Sequence, residues 1–241
     1  MDIVDALAAR AGTTCVVGAG GKKTTMATLA ARLDRAVVTA TVRIPIFDVW
    51  VARVAVTDDP VAAVEAADKW PLGVVPERER ADRYRGYDPG VVDDLAALDH
   101  PLLVKADGAR MREFKAPSDR EPQVPAAADT VVPIASAHVV GEPLDEERVH
   151  RVDRVAALTG REPGEPIRAA DVATVLASEE GGWKGVPDGA TVVPLVNMVD
   201  DDALAATARE VAAEVLDRAD VPRVVLAEMR ADDPLVAVVE G

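Results

Sequence analysis

Thr13-Thr14-Cys15-Val16-Val17-Gly18-Ala19-Gly20-Gly21-Lys22-Lys23-Thr24-Thr25 is the stretch of sequence that decides the fold. The β-branched run at residues 13–17 predicts a buried strand, and the glycines that follow predict a tight loop. Apolar residues at helical spacing predict a helix over residues 24–33, and a second buried strand is predicted over residues 36–42. Strand, loop, helix and strand in this order form a βαβ unit, which favours a parallel sheet.

The rest of the chain continues this alternation. Helices are predicted over residues 2–11, 61–67, 91–98, 146–158, 169–177 and 202–219, and strands over residues 101–108, 130–135, 191–196, 223–226 and 235–239. We therefore expect one α/β domain over residues 1–241, with an insertion around residues 43–90. Its fold class would be a mostly parallel sheet flanked by helices, in the three layers of a P-loop NTPase.

Composition excludes several classes of protein. The chain has 241 residues, 49% of them hydrophobic, and a net charge of −15 from 27 basic and 42 acidic residues. This hydrophobic content argues against disorder, and the single Cys15 excludes a disulfide framework or a cysteine-based zinc site. The acidic balance predicts no binding to nucleic acid or to a membrane surface. The acidic start and the absence of a long apolar run predict a cytoplasmic protein.

Lysine is scarce, because only six of the 27 basic residues are lysines: Lys22, Lys23, Lys69, Lys105, Lys115 and Lys184. An acidic chain poor in lysine suits the salt-rich cytosol of a halophilic organism, although a GC-rich genome gives the same bias. On either interpretation, each of the six lysines is a candidate functional residue.

Residues Gly18, Ala19, Gly20, Gly21, Lys22, Lys23, Thr24 and Thr25 are the predicted phosphate-binding loop. Glycines let backbone N–H groups converge on an anion, and the start of the helix adds partial positive charge. Lys22 or Lys23 would neutralise phosphate charge as a catalytic group, and Thr24 would ligate Mg²⁺. The strict P-loop spacing is absent, because Val16 stands where the first glycine is expected.

Two other interpretations of this loop stay open. It could be a turn that binds nothing, or the start of an NADP-binding motif. Against the second, Lys23 stands where the third glycine is expected, and the next strand ends in Thr39, Thr41 and Arg43 instead of an acidic residue.

Polar residues after two later strands complete the candidate site. Asp107 follows a buried strand, where it could serve catalysis from the outer shell of Mg²⁺ or simply form a turn with Gly108. Asn197 and Asp200 follow another strand in the Asn-x-x-Asp spacing with which many GTPases bind guanine, although Asp200 could instead cap a helix. His150 is predicted to lie on a helix surface.

The same segments resemble the YqeC family. The resemblance runs through 17–25, 39–45, 106–125, 149–151 and 195–200, and its most specific part is Ala106-Asp107-Gly108-Ala109, Lys115-Ala116-Pro117 and Glu121-Pro122. The second lysine of the loop looks like an insertion. Arg43 stands where the family favours a histidine, so Thr41 or Arg43 would sense the terminal phosphate.

The resemblance implies an accessory protein of selenium-dependent molybdenum hydroxylases that binds a nucleotide. The expected function is Mg²⁺-dependent binding and hydrolysis of ATP or GTP, in the maturation of such a hydroxylase or of its cofactor. Lys115 joins the expected nucleotide-binding residues. The alternatives are a kinase or nucleotidyltransferase acting on a small cofactor precursor, and a non-catalytic partner that holds an anion.

Overall fold

The computed structural model describes residues 1–241. Its helices are α1 (Ile3–Ala6), α2 (Lys22–Ala30), α3 (Pro60–Glu65), α4 (Pro89–Ala96), α5 (Val152–Thr159), α6 (Ala169–Ala177) and α7 (Asp202–Leu216). Its strands are β1 (Thr13–Gly18), β2 (Val37–Ala40), β3 (Ile44–Pro45), β4 (Arg53–Val56), β5 (Leu72–Val75), β6 (Arg83–Tyr84), β7 (Leu102–Lys105), β8 (Phe114–Lys115), β9 (Thr130–Ser136), β10 (Val149–His150), β11 (Thr191–Val192), β12 (Leu195–Asn197), β13 (Val224–Ala227) and β14 (Leu235–Val239). None of the helices combines the length and apolarity needed to cross a membrane.

One large sheet organises the chain, in the order β14-β13-β12-β9-β1-β7-β2-β5-β4, with β11 pairing beside β9. All its pairings are parallel except that of β13 with the edge strand β14. The expected α/β class is therefore confirmed. Because β1 lies between β7 and β9, the loop that follows β1 opens at the middle of the carboxyl edge, where parallel α/β sheets bind ligands.

Helices cover both faces of the sheet, as the three-layer expectation requires. Val16 and Leu103 face the cluster that includes Met26 and Leu29 of α2. Alternate strand residues face the opposite side, where α3 and α4 pack near one end and α5, α6 and α7 near the other. Strands buried on both faces read as continuous apolar runs, which explains why β1, β7 and β9 were recognisable in the sequence.

Two predicted elements have other forms in the structure. The helix predicted over 146–158 begins only at Val152, because Val149 and His150 pair in parallel with Phe114 and Lys115. His150 therefore lies in a strand and not on a helix. The strand predicted over 191–196 is divided into β11 and β12 around Pro194, which has no N–H to donate to a ladder.

Residues 43–90 extend the sheet beyond β2. They supply β5 and the edge strand β4, together with α3, and a separate two-stranded pairing of β3 with β6. Asp59 caps α3 by accepting a hydrogen bond from the Ala62 N–H, and Pro60 occupies the first turn of the helix that was predicted over residues 61–67.

Candidate functional site

The glycine-rich loop joins β1 to α2 in a conformation that few side chains would allow. Gly18, Gly20 and Gly21 have φ values of +86°, +91° and +119°. A methyl group on Gly21 would lie 2.2 Å from the amide nitrogen of Asn197, which is closer than any real contact. Glycine is therefore required here both by backbone conformation and by the approach of a neighbouring side chain.

The loop and the first turn of α2 leave a group of N–H donors free. The N–H groups of Gly18 and Gly20 are already bonded, to the Asp107 carboxylate at 2.9 Å and to the Arg112 carbonyl at 3.2 Å. Those of residues 21–24 donate to no protein acceptor. Four consecutive free donors at the start of a helix suit an anion.

Lys22 is the lysine that the structure places under the loop. Its side chain is only 5% exposed, and its Nζ lies 2.8 Å from Asp107 Oδ1 and also donates to the Gly18 carbonyl. Lys23 is half-buried, and its Nζ lies 3.9 Å from the sulfur of Met111 on the outside of the loop. By position, Lys22 is the better candidate for a phosphate-binding lysine.

Asp107 lies at the end of β7 between two lysines. Lys115 Nζ lies 2.7 Å from its Oδ2, while Lys22 faces its other oxygen. Burial alone would raise the pKa of this carboxyl, but the two ammonium groups outweigh that effect and hold its pKa below the usual range. Asp107 is therefore an anion at neutral pH.

A second carboxylate belongs to the same network. Glu121 lies 3.3 Å from Lys115 Nζ and 2.8 Å from Arg151, and it accepts a hydrogen bond from the Gly108 N–H at 3.2 Å. Burial opposes its ionisation, but Lys115 and Arg151 leave its pKa lowered. Sequence reasoning used Glu121 and Arg151 only as part of the family resemblance. Their pairing depends on two loops that the sheet brings together.

Lys105 is a third buried lysine beside this network. It is 5% exposed, and its one hydrogen bond goes to the backbone carbonyl of Arg43, at 2.8 Å. Burial, followed by the charge of Lys22, lowers its pKa to about 7. The scarcity of lysine in the sequence was the signal that could have found this cluster, since three of the six lysines, Lys22, Lys105 and Lys115, lie in it.

His150 also lies near these lysines. Burial and the charge of Arg151 lower its pKa to about 4, so it is neutral at pH 7.

The side chains of the predicted phosphate sensors are bonded to residues outside the loop. The hydroxyl of Thr41 donates to the Gln123 carbonyl at 2.6 Å, and the guanidinium of Arg43 pairs with Glu79 at 2.6 Å. Thr25 is buried, and its hydroxyl donates back to the Gly21 carbonyl at 3.2 Å. Roles for these side chains in phosphate binding stay predictions.

Asn197 connects the loop to the residues that follow β13. Its Nδ2 donates to the Gly20 carbonyl at 2.8 Å, and its Oδ1 accepts from the Met229 N–H at 3.2 Å. The side chain is 2% exposed, so these two bonds fix it between the loop and the end of β13. These bonds hold the loop in place, and a role for Asn197 in nucleotide binding stays a prediction.

A small cleft opens next to Asn197, at the carboxyl ends of β12 and β13. Its lining includes Thr24, His138, Met198, Asp200, Glu228 and Arg230. Asp200 is partly exposed at its rim and lies 2.7 Å from His138 Nε2. Nothing in the sequence pointed to Glu228, because only the fold places the end of β13 beside the loop.

Comparison with known proteins supplies the family. A sequence model described as YqeC protein matches residues 14–153, which is more than half of the chain. The chain belongs to the YqeC family. An uncharacterised protein named YqeC from Escherichia coli strain K12 is 28% identical over 191 residues, covering 76% of this chain and 74% of that protein. No solved structure matches the chain.

The matched region of this YqeC-family chain contains the loop, Asp107, Lys115, Glu121 and Arg151. Asn197 and Asp200 lie beyond it, so their roles rest on the geometry of this structure.

Proposed function

We propose that this YqeC-family protein binds a nucleoside triphosphate, with its phosphates on the loop at residues 18–25 and its base in the cleft beside Asn197. The observation that carries the proposal is the set of four free N–H donors at residues 21–24, together with the buried pair that Lys22 of this turn forms with Asp107. Backbone donors, a helix N-terminus and a lysine are the elements that bind phosphate in P-loop proteins.

The cleft favours guanine over adenine. Asp200 and Glu228 contribute carboxylate acceptors to its rim and lining. Guanine offers a ring N–H and an amino group on one edge, so it can donate twice to a carboxylate, whereas adenine offers only its amino group. Asn197 holds the neighbouring loop, as the Asn of a guanine-binding Asn-x-x-Asp motif would.

We extend the proposal to the biological role that the family resemblance implies. In this role, nucleotide binding and slow hydrolysis would accompany the maturation of a molybdenum hydroxylase or of its cofactor. Catalysis at such a site would consist of positioning and charge stabilisation by Lys22 and the backbone donors. A client protein would then change the rate of turnover.

Nucleotide titrations test the binding step. GTP, ATP, ITP and NADPH would be titrated by calorimetry. Both a low-salt and a high-salt buffer would be used, since the acidic composition is compatible with a salt-rich cytosol and with an ordinary one. GTP should bind more tightly than ITP, which lacks the amino group on the base. Binding of NADPH alone would favour a dinucleotide site, and failure of all four to bind would refute the proposal.

Variants of two lysines test the geometry. Lys22→Met should weaken GTP binding by about tenfold or more, since charge-assisted bonds to phosphate contribute about 1.5–3 kcal/mol each. Lys69→Met is the matched control, because Lys69 is exposed and lies far along the chain from the loop. Circular dichroism would confirm that both variants fold. Equal affinity of the two variants would contradict the assignment of Lys22.

A further inference from the structure

The charges under the loop are unbalanced. Asp107 and Glu121 pair with Lys22, Lys115 and Arg151, and the charge of the buried Lys105, two residues before Asp107 in the chain, acts on the same group. Lys22, Lys115 and Arg151, together with a partly protonated Lys105, therefore outnumber the two carboxylates, in a chain whose net charge is −15. A buried surplus of positive charge is costly unless an anion compensates it.

Lys105 is the least compensated member of this group. An ammonium group has three N–H donors, and that of Lys105 is matched to a single carbonyl acceptor with no carboxylate partner. Lys115, by contrast, is bonded to Asp107, Glu121 and the Gly108 carbonyl. The unmatched donors of Lys105 are buried and thus suit an oxyanion.

The same residues fit a divalent cation poorly. Each oxygen of Asp107 already faces an ammonium group, and the position after Lys22 holds Lys23 where a P-loop has a hydroxyl ligand. No hydrogen bond joins Thr24 to Asp107, and Thr24 lies along the other cleft. No group of three His, Cys, Asp or Glu side chains is placed to hold a metal ion. A Mg²⁺ ion at Asp107 would lie among like charges.

We propose that the loop takes its nucleotide as the metal-free polyphosphate, which the ammonium groups of Lys22 and Lys105 neutralise in place of Mg²⁺. This inference rests on the proposed function, because it concerns the form in which the same site binds a nucleotide. The ligand class is a polyanionic nucleotide without a bound cation. Mg²⁺ would then compete with the protein for the phosphates.

Titration of GTP in excess EDTA and in excess magnesium chloride is the test. We expect GTP to bind in EDTA at least as tightly as in magnesium. Binding that is about tenfold or more weaker in EDTA would overturn the inference while leaving the proposed function intact. Absence of binding in both buffers would instead refute the proposed function, and this inference with it.

Lys105→Met identifies the source of the effect, with Lys69→Met as a control that removes a lysine of the same charge from an exposed position. Lys105→Met should weaken binding in EDTA by about tenfold, because it removes one of the charges that neutralise the metal-free phosphates. An unchanged affinity in EDTA would overturn the role of Lys105. If this variant fails to fold, the wild-type titrations decide the question alone.

Discussion

Replacement of Lys105 by methionine should remove a pH dependence from the stability of the protein. The pKa of Lys105 falls from 10.5 to about 7 because the folded chain buries its ammonium group beside Lys22. In the unfolded chain the lysine recovers its ordinary pKa. Between these two values the unfolded state binds more protons than the folded state, so the stability of the wild-type protein rises with pH in this window.

The size of the effect follows from the two pKa values. Each pH unit between them is worth at most about 1.4 kcal/mol. Near pH 7 the folded lysine is still partly protonated, so a rise from about pH 7 to about pH 9 should add about 2 kcal/mol to the free energy of unfolding. For a chain of this size that corresponds to a rise of roughly 4–8 °C in Tm.

Urea unfolding of both proteins over this pH range measures the effect. Other titrating groups contribute to both curves, and the difference between the curves isolates Lys105. The methionine variant also leaves the Arg43 carbonyl without a donor, but this cost does not change with pH. Parallel curves for the two proteins would refute the reasoning, because they would show that Lys105 titrates alike in the folded and unfolded states.

Three further substitutions test the loop and the cleft. Gly21→Ala should lower the free energy of unfolding, measured in urea, by about 2 kcal/mol or more. Gly189→Ala is the control, because Gly189 has a φ of +86° but open space around it, and it should cost only about 1 kcal/mol of backbone strain. Similar losses for the two variants would argue against the contact with Asn197. Asn197→Ala removes two buried hydrogen bonds and should lower the free energy of unfolding by about 2–3 kcal/mol in the same assay. It should also weaken GTP binding measured by calorimetry. An unchanged affinity would show that the contacts of Asn197 do not contribute to binding. Asp200→Asn should reduce the preference for GTP over ITP by about tenfold, and an unchanged ratio of their Kd values would place the base elsewhere.

The sequence predicted the sheet and the loop because both depend on local patterns. The apolar runs that became β1, β7 and β9 are buried on both faces, and polar residues stand only at the ends of these strands. The first helix was predicted too long, since Ala8 adopts a positive φ of 52° and ends it early. β5 went unrecognised, because its four residues lie in a proline-rich stretch where a short apolar run has no helical or strand period.

The sequence indicated residues of the candidate site one by one, but not the network of contacts that they form. Spacing along the chain identified Asp107 and Asn197 as residues at strand ends. It could not show that Lys115 pairs with Asp107, because β8 reaches that position by pairing with β10, more than thirty residues later. The choice between Lys22 and Lys23 also needed the structure, since neighbouring residues at a helix start point in different directions.

The two bonds of Asn197 join regions that bind different halves of the proposed ligand. One amide holds the Gly20 carbonyl on the phosphate side and the Met229 N–H on the base side. A ligand fragment that orders one side therefore lowers the entropy cost of ordering the other. Guanosine and inorganic phosphate, supplied as separate molecules, should strengthen each other's binding, and thermodynamic linkage requires that the gain be the same in both directions.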